Sequence, residues 1–393
     1  MDIQKRVNEI FEELVNIRRD LHKNPELSQN EFRTQKKIRD YLNHWGIENY
    51  PCADTGVVGI IRGKHTGKTV GLRGDIDALP INEKNDKPYC SVNPKVMHAC
   101  GHDAHTTVLL GVGKIIKELA DSKESIAGAV KLFFQPAEET VGGGERMVKD
   151  GCMENPHVDY VLGLHVIPYI DVGKIELKYG KLNASTDSIK IKLFGKQAHG
   201  AYPDNGTDAI AMAGSVITSL QTIVSRNISP LNSIVISLGR ISGGVKDNII
   251  ADEVEITGTL RALDDEIRNF AKQRISDIVI NTAAAYGGHG TVDFYDGYQA
   301  LINNDEVVNV IKETAEKVLG KENIVFKEFP SLGAEDFSYF SDVAKGGFFH
   351  LGCGNKGKGI TASIHTEDFD IDEECLKVGV LMQVYNVISL LNK

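Results

Sequence analysis

Between residues 183 and 298 the chain changes texture, and that change limits its fold more than any other feature. Before it, short apolar runs alternate with helical patterns. Val57 to Ile61 and Thr69 to Leu72 read as strands, and Val108, Leu109, Val112, Ile115, Ile116 and Leu119 form one helical face. Ala129 to Phe134 and Tyr160 to Val166 read as further strands. Strands alternating with helices predict an α/β core on a mainly parallel sheet, because parallel neighbours need a crossover connection. Within the segment the order becomes SIKIKLFG, a helix from about Asp208 to Ser225, SIVISLGRIS, VEITGTLRA, a helix through about Ala285, and TVDFYD. That β-α-β-β-α-β order predicts a two-layer, ferredoxin-like α+β insert. Afterwards helix, turn and short strand return around Leu332 to Leu351, and an amphipathic helix is expected from about Asp372 to Leu391. The expected organisation is a discontinuous α/β domain, residues 1–182 and 299–393, interrupted by a smaller domain at 183–298.

Two helices should open the chain, over residues 2–22 and from about Glu31 to His44, with Pro25 between them. The GKHTGK segment that links the first two strands reads as a hairpin turn. It is not a phosphate loop, because only three residues separate its glycines where four are required.

The length of 393 residues gives room for more than one core, and 25% charged with 41% hydrophobic residues is an ordinary globular composition. A net charge of -10 removes any general attraction for phosphate backbones, so nucleic acid is not an expected partner. The charged, amphipathic N-terminus lacks the apolar stretch of a secretory signal, and no apolar run approaches the roughly 18 residues of a membrane span. AIAMAGSVITSL reads as a buried helix. A cytoplasmic protein without membrane association is expected, with its six cysteines as free thiols.

The densest chemistry is His98, Cys100, His102, Asp103 and His105, five potential metal ligands within eight positions. In an extended segment residues two apart project to the same side, so Cys100 and His102 can reach one metal centre while Gly101 lets the backbone approach it. Thiolate with imidazole favours zinc, with manganese, cobalt or nickel as other divalent candidates. His98 and His105 suit a supporting or helix-surface role equally well.

Glu138 and Glu139 directly follow an apolar strand and Pro136, where a charged couplet would enter the mouth of a sheet. Adjacent side chains diverge, so one carboxylate can bind metal while the other takes a proton from water. Asp75 and Asp77 share a side at the end of TVGLRGDID and serve either as turn or capping residues or, for Asp77, as support to a ligand or base. His165, ending YVLGLHV, and His365, in SIHTEDFD, complete the inventory.

Taken in order, RRDLHKNPELS, RGDIDALP, MHACGHDAHT, FFQPAEE, GLHV, QAHGAYPDNGTDAI, GAEDFSYF and IHTEDFD resemble the amidohydrolase branch of the aminoacylase and carboxypeptidase metallopeptidase superfamily. The resemblance spans most of the chain. It implies a catalytic domain of zinc-exopeptidase type holding two divalent ions per subunit on Cys100, His102, Glu139, His165 and His365. Glu138 would be the general base and Asp77 its supporter. The insert would be a lid and the face of a homodimer, with His199 stabilising the oxyanion and Asn248 and Arg261 near the substrate. The implied reaction is hydrolysis of an N-acyl amino acid, with a dipeptidase or carboxypeptidase of the same superfamily as the alternative and a non-catalytic metal-binding scaffold as the remote one.

Overall fold

The apolar runs assemble into an eight-stranded sheet. Its spatial order is Glu48–Cys52, Gly56–Arg62, Ala127–Gln135, His65–Asp75, Tyr160–Asp171, Lys345–Gly354, Ile175–Leu177 and Ile324–Phe326. The four central strands are mutually parallel. Antiparallel pairing enters where Gly56–Arg62 meets Ala127–Gln135 and Glu48–Cys52, and where Ile175–Leu177 meets Lys345–Gly354. The sheet is therefore mixed and mainly parallel. Its centre is covered on both faces, which is why Val70, Leu72, Val130, Leu132, Phe133, Phe134, Val161 and Leu162 follow one another as nearly unbroken apolar runs.

GKHTGK is not a hairpin turn. Ala127–Gln135 lies between the two strands it joins, so the segment crosses the end of that strand, and the Gly63 N–H donates to the Gly128 carbonyl at 2.9 Å. A Cβ at Gly63 would lie 2.0 Å from the Ile126 carbonyl oxygen, so this crossing admits only glycine.

The structure, a computed structural model, describes residues 1–122 and 126–393. Its first unit comprises Met1–Gly180, Ile302–Phe329 and Asp336–Lys393, and its second Lys181–Leu301 with Pro330–Glu335. Residues 330–335, which the sequence pattern leaves in the C-terminal part of the larger domain, belong to the second unit. The N-terminal helical pattern breaks at Ile10 into Ile3–Glu9 and Phe11–Lys23. These helices pack with His102–Asp121 and Glu374–Leu391 over one sheet face, sharing a core that includes Leu14, Ile17, Val108, Val112, Ile116, Val380 and Val384.

Glu374–Leu391 is buried on more than one face: Cys375, Leu376, Val380, Met382, Val384, Asn386 and Val387 are all inaccessible. It is a core helix instead of the expected amphipathic one. It is also the one helix among the described residues long and apolar enough to cross a membrane by length and composition, a property it owes to packing against both His102–Asp121 and Asp305–Val318.

In the second unit four strands lie in the order Ile234–Gly243, Glu253–Ala262, Ser185–Phe194 and His289–Asp296, every neighbour antiparallel. The helices Ala209–Thr222 and Asp265–Ala285 start on Asp208 and Asp264, whose carboxylates accept from the first backbone N–H groups. With those helices packed on Ile189, Ile191, Leu193, Val254, Ile256 and Leu260, the unit is a ferredoxin-like two-layer insert.

Candidate active site

The polar cluster of the first unit lies where the parallel strands run out. Pairing between His65–Asp75 and Tyr160–Asp171 ends at Arg73 with Gly163, and beyond it the chain turns through Asp75 and Asp77. Both carboxylates are buried. Asp77 Oδ1 accepts from His102 Nδ1 at 3.1 Å, while its Oδ2 accepts from the Ser28 hydroxyl at 2.7 Å and the Glu139 N–H at 3.1 Å. Burial opposes the ionised carboxyl of Asp77, but the hydrogen bond and charge of His102 outweigh it and hold the group below its ordinary value.

Fixing the proton on His102 Nδ1 leaves Nε2 with a lone pair. That atom is buried and has no hydrogen-bond partner among the described residues. Such an orphan costs free energy unless a cation or donor occupies the space before it.

Cys100 and His102 are brought together by Gly101, whose φ of +91° is left-handed and whose Cβ, were it present, would lie 2.3 Å from Val166 Cγ2. His102 then begins the helix His102–Asp121. Cys100 Sγ lies 3.3 Å from His165 Nε2 and 3.2 Å from His365 Nε2. His165 donates Nδ1–H to its neighbour's carbonyl, Val166 O, at 2.8 Å, so its Nε2 also faces the cluster as a lone pair. His365 is held at a left-handed φ of +61°, its N–H bonded to Ala99 O at 2.8 Å.

Glu138 and Glu139 leave Ala127–Gln135 through Pro136 and Ala137. Ala137 has a positive φ of +54°, and its N–H donates to Glu31 at 2.9 Å. Glu139 Oε1 sits 3.2 Å from His365 Nε2 and 3.9 Å from His102 Nε2.

The donors fall into overlapping triads: Cys100 with His102 and His165, Cys100 with Glu139 and His365, and His102 with Glu138 and Glu139, the ligand atoms of each lying within 4.8 Å of one another. Within these three, Cys100, His102 and Glu139 each occur twice, an overlap that suits two neighbouring ions, and His102 also groups with Asp75 and His105. The electrostatics of His165 and Cys100 agree. Burial, aided by His105 and His102, pushes His165 well below its usual value and keeps its Nε2 unprotonated, as a ligand requires. Burial pushes the Cys100 thiol well up against the pull of His102, so a thiolate there needs a cation beside it. His102 runs the other way: burial favours the neutral ring, yet Asp75 and Cys100 outweigh it and raise the group, so its Nε2 presents a lone pair only where a cation takes the place of the proton.

The other members of the histidine run do different work. His105 spends both ring nitrogens, Nδ1 on Asp75 at 2.6 Å and Nε2 in accepting the Val166 N–H at 2.9 Å. It thereby replaces the ladder partner that the neighbouring strand no longer supplies. Asp75 also meets Arg73 at 2.7 Å. Neither ring nitrogen of His98 has a hydrogen-bond partner among the described residues, and burial pushes that histidine down to about 4. Asp103 faces away, accepting from Arg18 Nε at 2.8 Å and His22 Nδ1 at 2.7 Å. The sequence reading gave Asp75 only a turn or capping role and assigned no part to Ser28, Glu31, Arg18 or His22. Arg18 and His22 did leave a signal, four apart on a helix face otherwise formed by Leu14, Ile17 and Leu21.

His199, Asn248 and Arg261 belong to the second unit. His199 lies on the short strand Ala198–His199, paired with Ile249–Ile250, and the Gly200 N–H donates to Asn248 O at 2.8 Å, so His199 and Asn248 are neighbours. His199 is exposed, and its Nδ1 accepts from the Ala201 N–H at 3.0 Å, which leaves the ring proton on Nε2. Arg261 is partly buried on Glu253–Ala262, where it donates to Thr259 Oγ1 and to Leu260 O.

Residues 71–386 match the model of peptidase family M20/M25/M40. The chain is 41% identical over 341 residues to the N-acetyl-L-cysteine deacetylase of Bacillus subtilis, covering 86% of this chain and 80% of that protein. It is 39% identical to thermostable carboxypeptidase 2 of Saccharolobus solfataricus over 98% of each. The crystal structure of the Bacillus subtilis YXEP protein, described as a dinuclear metal binding peptidase from the M20 family, superposes with a TM-score of 0.85 at 32% identity, over 98% of this chain and 99% of that one. With a matching fold, a matching family model and relatives that align along nearly the whole chain, this protein belongs to peptidase family M20/M25/M40, in its amidohydrolase branch, and is a hydrolase of amide bonds.

Proposed function

We propose that the chain cleaves N-acyl amino acids, with acetyl, benzoyl or larger acyl groups, to a carboxylate and a free amine. The observation that carries this reading is the buried lone pair of His102 Nε2, facing Glu139 beside Cys100, His165 and His365. Those five residues would hold two divalent ions, zinc or manganese first, with cobalt or nickel as alternatives. Bound there, the ions supply Lewis acidity to the acyl carbonyl and lower the pKa of water.

The chain's own groups do the rest. Glu138 takes the proton of the attacking water and returns it to the departing amine. Asp77 fixes the His102 tautomer and, through the Glu139 N–H, the backbone that carries both glutamates. His199, with its proton on Nε2, is a donor suited to the developing oxyanion. Arg261 offers a fork for the substrate α-carboxylate, and Asn248 lies in the His199 loop. The second unit would then serve as lid and as homodimer face.

The similarity to an N-acetyl-L-cysteine deacetylase supports an N-acyl substrate. The similarity to a carboxypeptidase over the full length supports a second reading, hydrolysis of a peptide bond at a free C-terminus. Release of α-amine from N-acetyl, N-benzoyl and N-indoleacetyl amino acids and from unblocked dipeptides, with protein stripped of metal and reloaded with zinc or manganese, separates the two. Metal-dependent cleavage of N-acyl substrates is expected, and cleavage of dipeptides alone would move the assignment to peptidase.

A further inference from the structure

Glu138 is flanked by two backbone N–H groups, those of Ala137 and Glu139, and each ends on a buried carboxylate. The Ala137 N–H donates to Glu31 Oε1 at 2.9 Å and the Glu139 N–H to Asp77 Oδ2 at 3.1 Å. The same oxygen of Asp77 accepts from the hydroxyl of Ser28, three residues before Glu31, at 2.7 Å. Residues 26–31, which join the helices Phe11–Lys23 and Phe32–His44, therefore grip the Glu138 turn at both ends. Their own backbone is tied to the Asp77 side by Glu26 O, which accepts from the Ala78 N–H at 2.9 Å.

The carboxylate of Glu31 does not serve its own helix. Glu31 stands at the N-cap of Phe32–His44, where a side-chain oxygen commonly accepts from the first turn, yet it makes no such bond. Glu26 takes that task, accepting from the Arg33 and Thr34 N–H groups at 3.0 and 2.8 Å. Glu31 is wholly buried, and its second oxygen accepts from Thr55 Oγ1 at 2.6 Å. What it reaches instead is Ala137, a non-glycine residue at a φ of +54°, a conformation that persists only where the surroundings over-determine it. Ala137 O accepts from the Gly142 N–H at 3.2 Å, so with Glu31 on its N–H both polar groups of the residue are fixed.

We propose that Glu31 is a positioning residue: its carboxylate, oriented by Thr55, holds Ala137 in the left-handed conformation from which Glu138 and Glu139 both reach His102. The ligand atoms of those three residues lie within 4.8 Å of one another. The inference rests on the proposed parts of Glu138 as base and Glu139 as ligand and goes beyond them. A reacting group displaced by about 1 Å costs about 10²-fold in rate, so the hold on Ala137 should be read in kcat before KM.

The test compares zinc-loaded wild type, Glu31→Gln, Glu31→Leu, Ala137→Gly and the double variant Glu31→Leu with Ala137→Gly on whichever member of the substrate panel the wild type turns over fastest. Glu31→Leu should lower kcat by about 10²-fold, with KM within about threefold of wild type. Glu31→Gln keeps an acceptor for the Ala137 N–H, and its amide can donate to Thr55 Oγ1, so its kcat should stay within about fivefold of wild type. Glycine enters the left-handed region without the Cβ penalty, so Glu31→Leu should cost at least about fivefold less in kcat on the Ala137→Gly background than on the wild type. A residue that serves only the stability of the fold would lower the unfolding midpoint on both backgrounds and show no such relief. If Glu31→Leu does not fold, Thr55→Val, which removes the group that orients Glu31, is the readout and should lower kcat by about tenfold. An unchanged kcat in the variant that folds, or equal penalties on the two backgrounds, overturns the proposal and leaves the amidohydrolase reading intact. Cleavage of dipeptides alone fails the N-acyl reading but reads out the same ratios. Absence of any metal-dependent turnover on the panel overturns both.

Discussion

His102 and Asp103 are adjacent in sequence, yet they enter two buried polar clusters of opposite character. Asp103 accepts from Arg18 Nε, from His22 Nδ1 and from the Ala104 N–H, and Arg18 also reaches Asp370 at 3.0 Å. Burial opposes the charge of Asp103, but Arg18 and His22 hold its carboxyl well below the ordinary range. On the other side His102 Nε2 has no hydrogen-bond partner among the described residues, and the lone pairs of His165 and Glu139 face the same space. A buried cluster whose charges are paired holds the helix His102–Asp121 against Phe11–Lys23. One that leaves several acceptors facing each other is arranged for a cation. The presence of histidines and carboxylates does not separate the two cases. The pairing of opposite charges does, since Arg18 faces Asp103, Asp370 and Glu373.

The contrast predicts separate kinds of damage. The largest effect on chemistry should follow Glu138→Gln, which keeps the shape and removes the base. Turnover should fall by about 10³-fold or more with metal content unchanged, measured by steady-state kinetics and elemental analysis. Substantial residual activity would place the base elsewhere. The largest effect on folding should come from the paired cluster: Arg18→Met leaves Asp103 and Asp370 buried without their cation, at a cost of about 3–5 kcal/mol. Urea unfolding of the metal-free protein should show that loss. Cys100→Ser should instead lose bound metal and leave the metal-free unfolding midpoint near wild type. A reversal of these two results would erase the distinction between the clusters.

Smaller effects sharpen it. His199→Ala should lower kcat by about 10²-fold with KM and metal content little changed, if its Nε2–H meets the oxyanion. A change confined to KM would make it a binding residue. The pH profile of stability should report the paired cluster. Glu83, bonded to His22 at 3.1 Å, has its carboxyl lowered from 4.5 to about 2, where burial is outweighed by the hydrogen bond and charge of His22. A depressed carboxyl stabilises the fold above its unfolded value. That contribution is lost as pH falls from about 4.5 through about 2. Glu83→Gln should flatten this part of an acid unfolding curve, and an unchanged slope would remove Glu83 from the account.

What the sequence makes legible follows from the range of each interaction. The insert is visible because its strand and helix periods are local and change together at its borders. The position of Ala127–Gln135 between Gly56–Arg62 and His65–Asp75 is set by pairings 60 to 77 residues apart, so GKHTGK reads as a turn although it is a crossing. Glu374–Leu391 reads as amphipathic because its buried residues include Gln383 and Asn386, which no periodicity argument places inside. In the site, Cys100 with His102 and the Glu138 and Glu139 couplet stand out by spacing alone. His165 and His365 rest on resemblance, because single histidines on separate segments meet only when the sheet forms. The parting of Asp103 from His102 is a matter of helix geometry, in which neighbouring side chains diverge by about 100°. No local pattern names Arg18, 85 residues away, as the partner.

The most direct measurement is the metal stoichiometry of the full chain after removal and reconstitution, taken together with hydrolysis of an N-acyl amino acid at each step. Two divalent ions per chain, with turnover abolished by chelation and restored by zinc or manganese, is the predicted result. Failure to retain any ion at the cluster, or hydrolysis that proceeds unchanged in the presence of chelator, would contradict it.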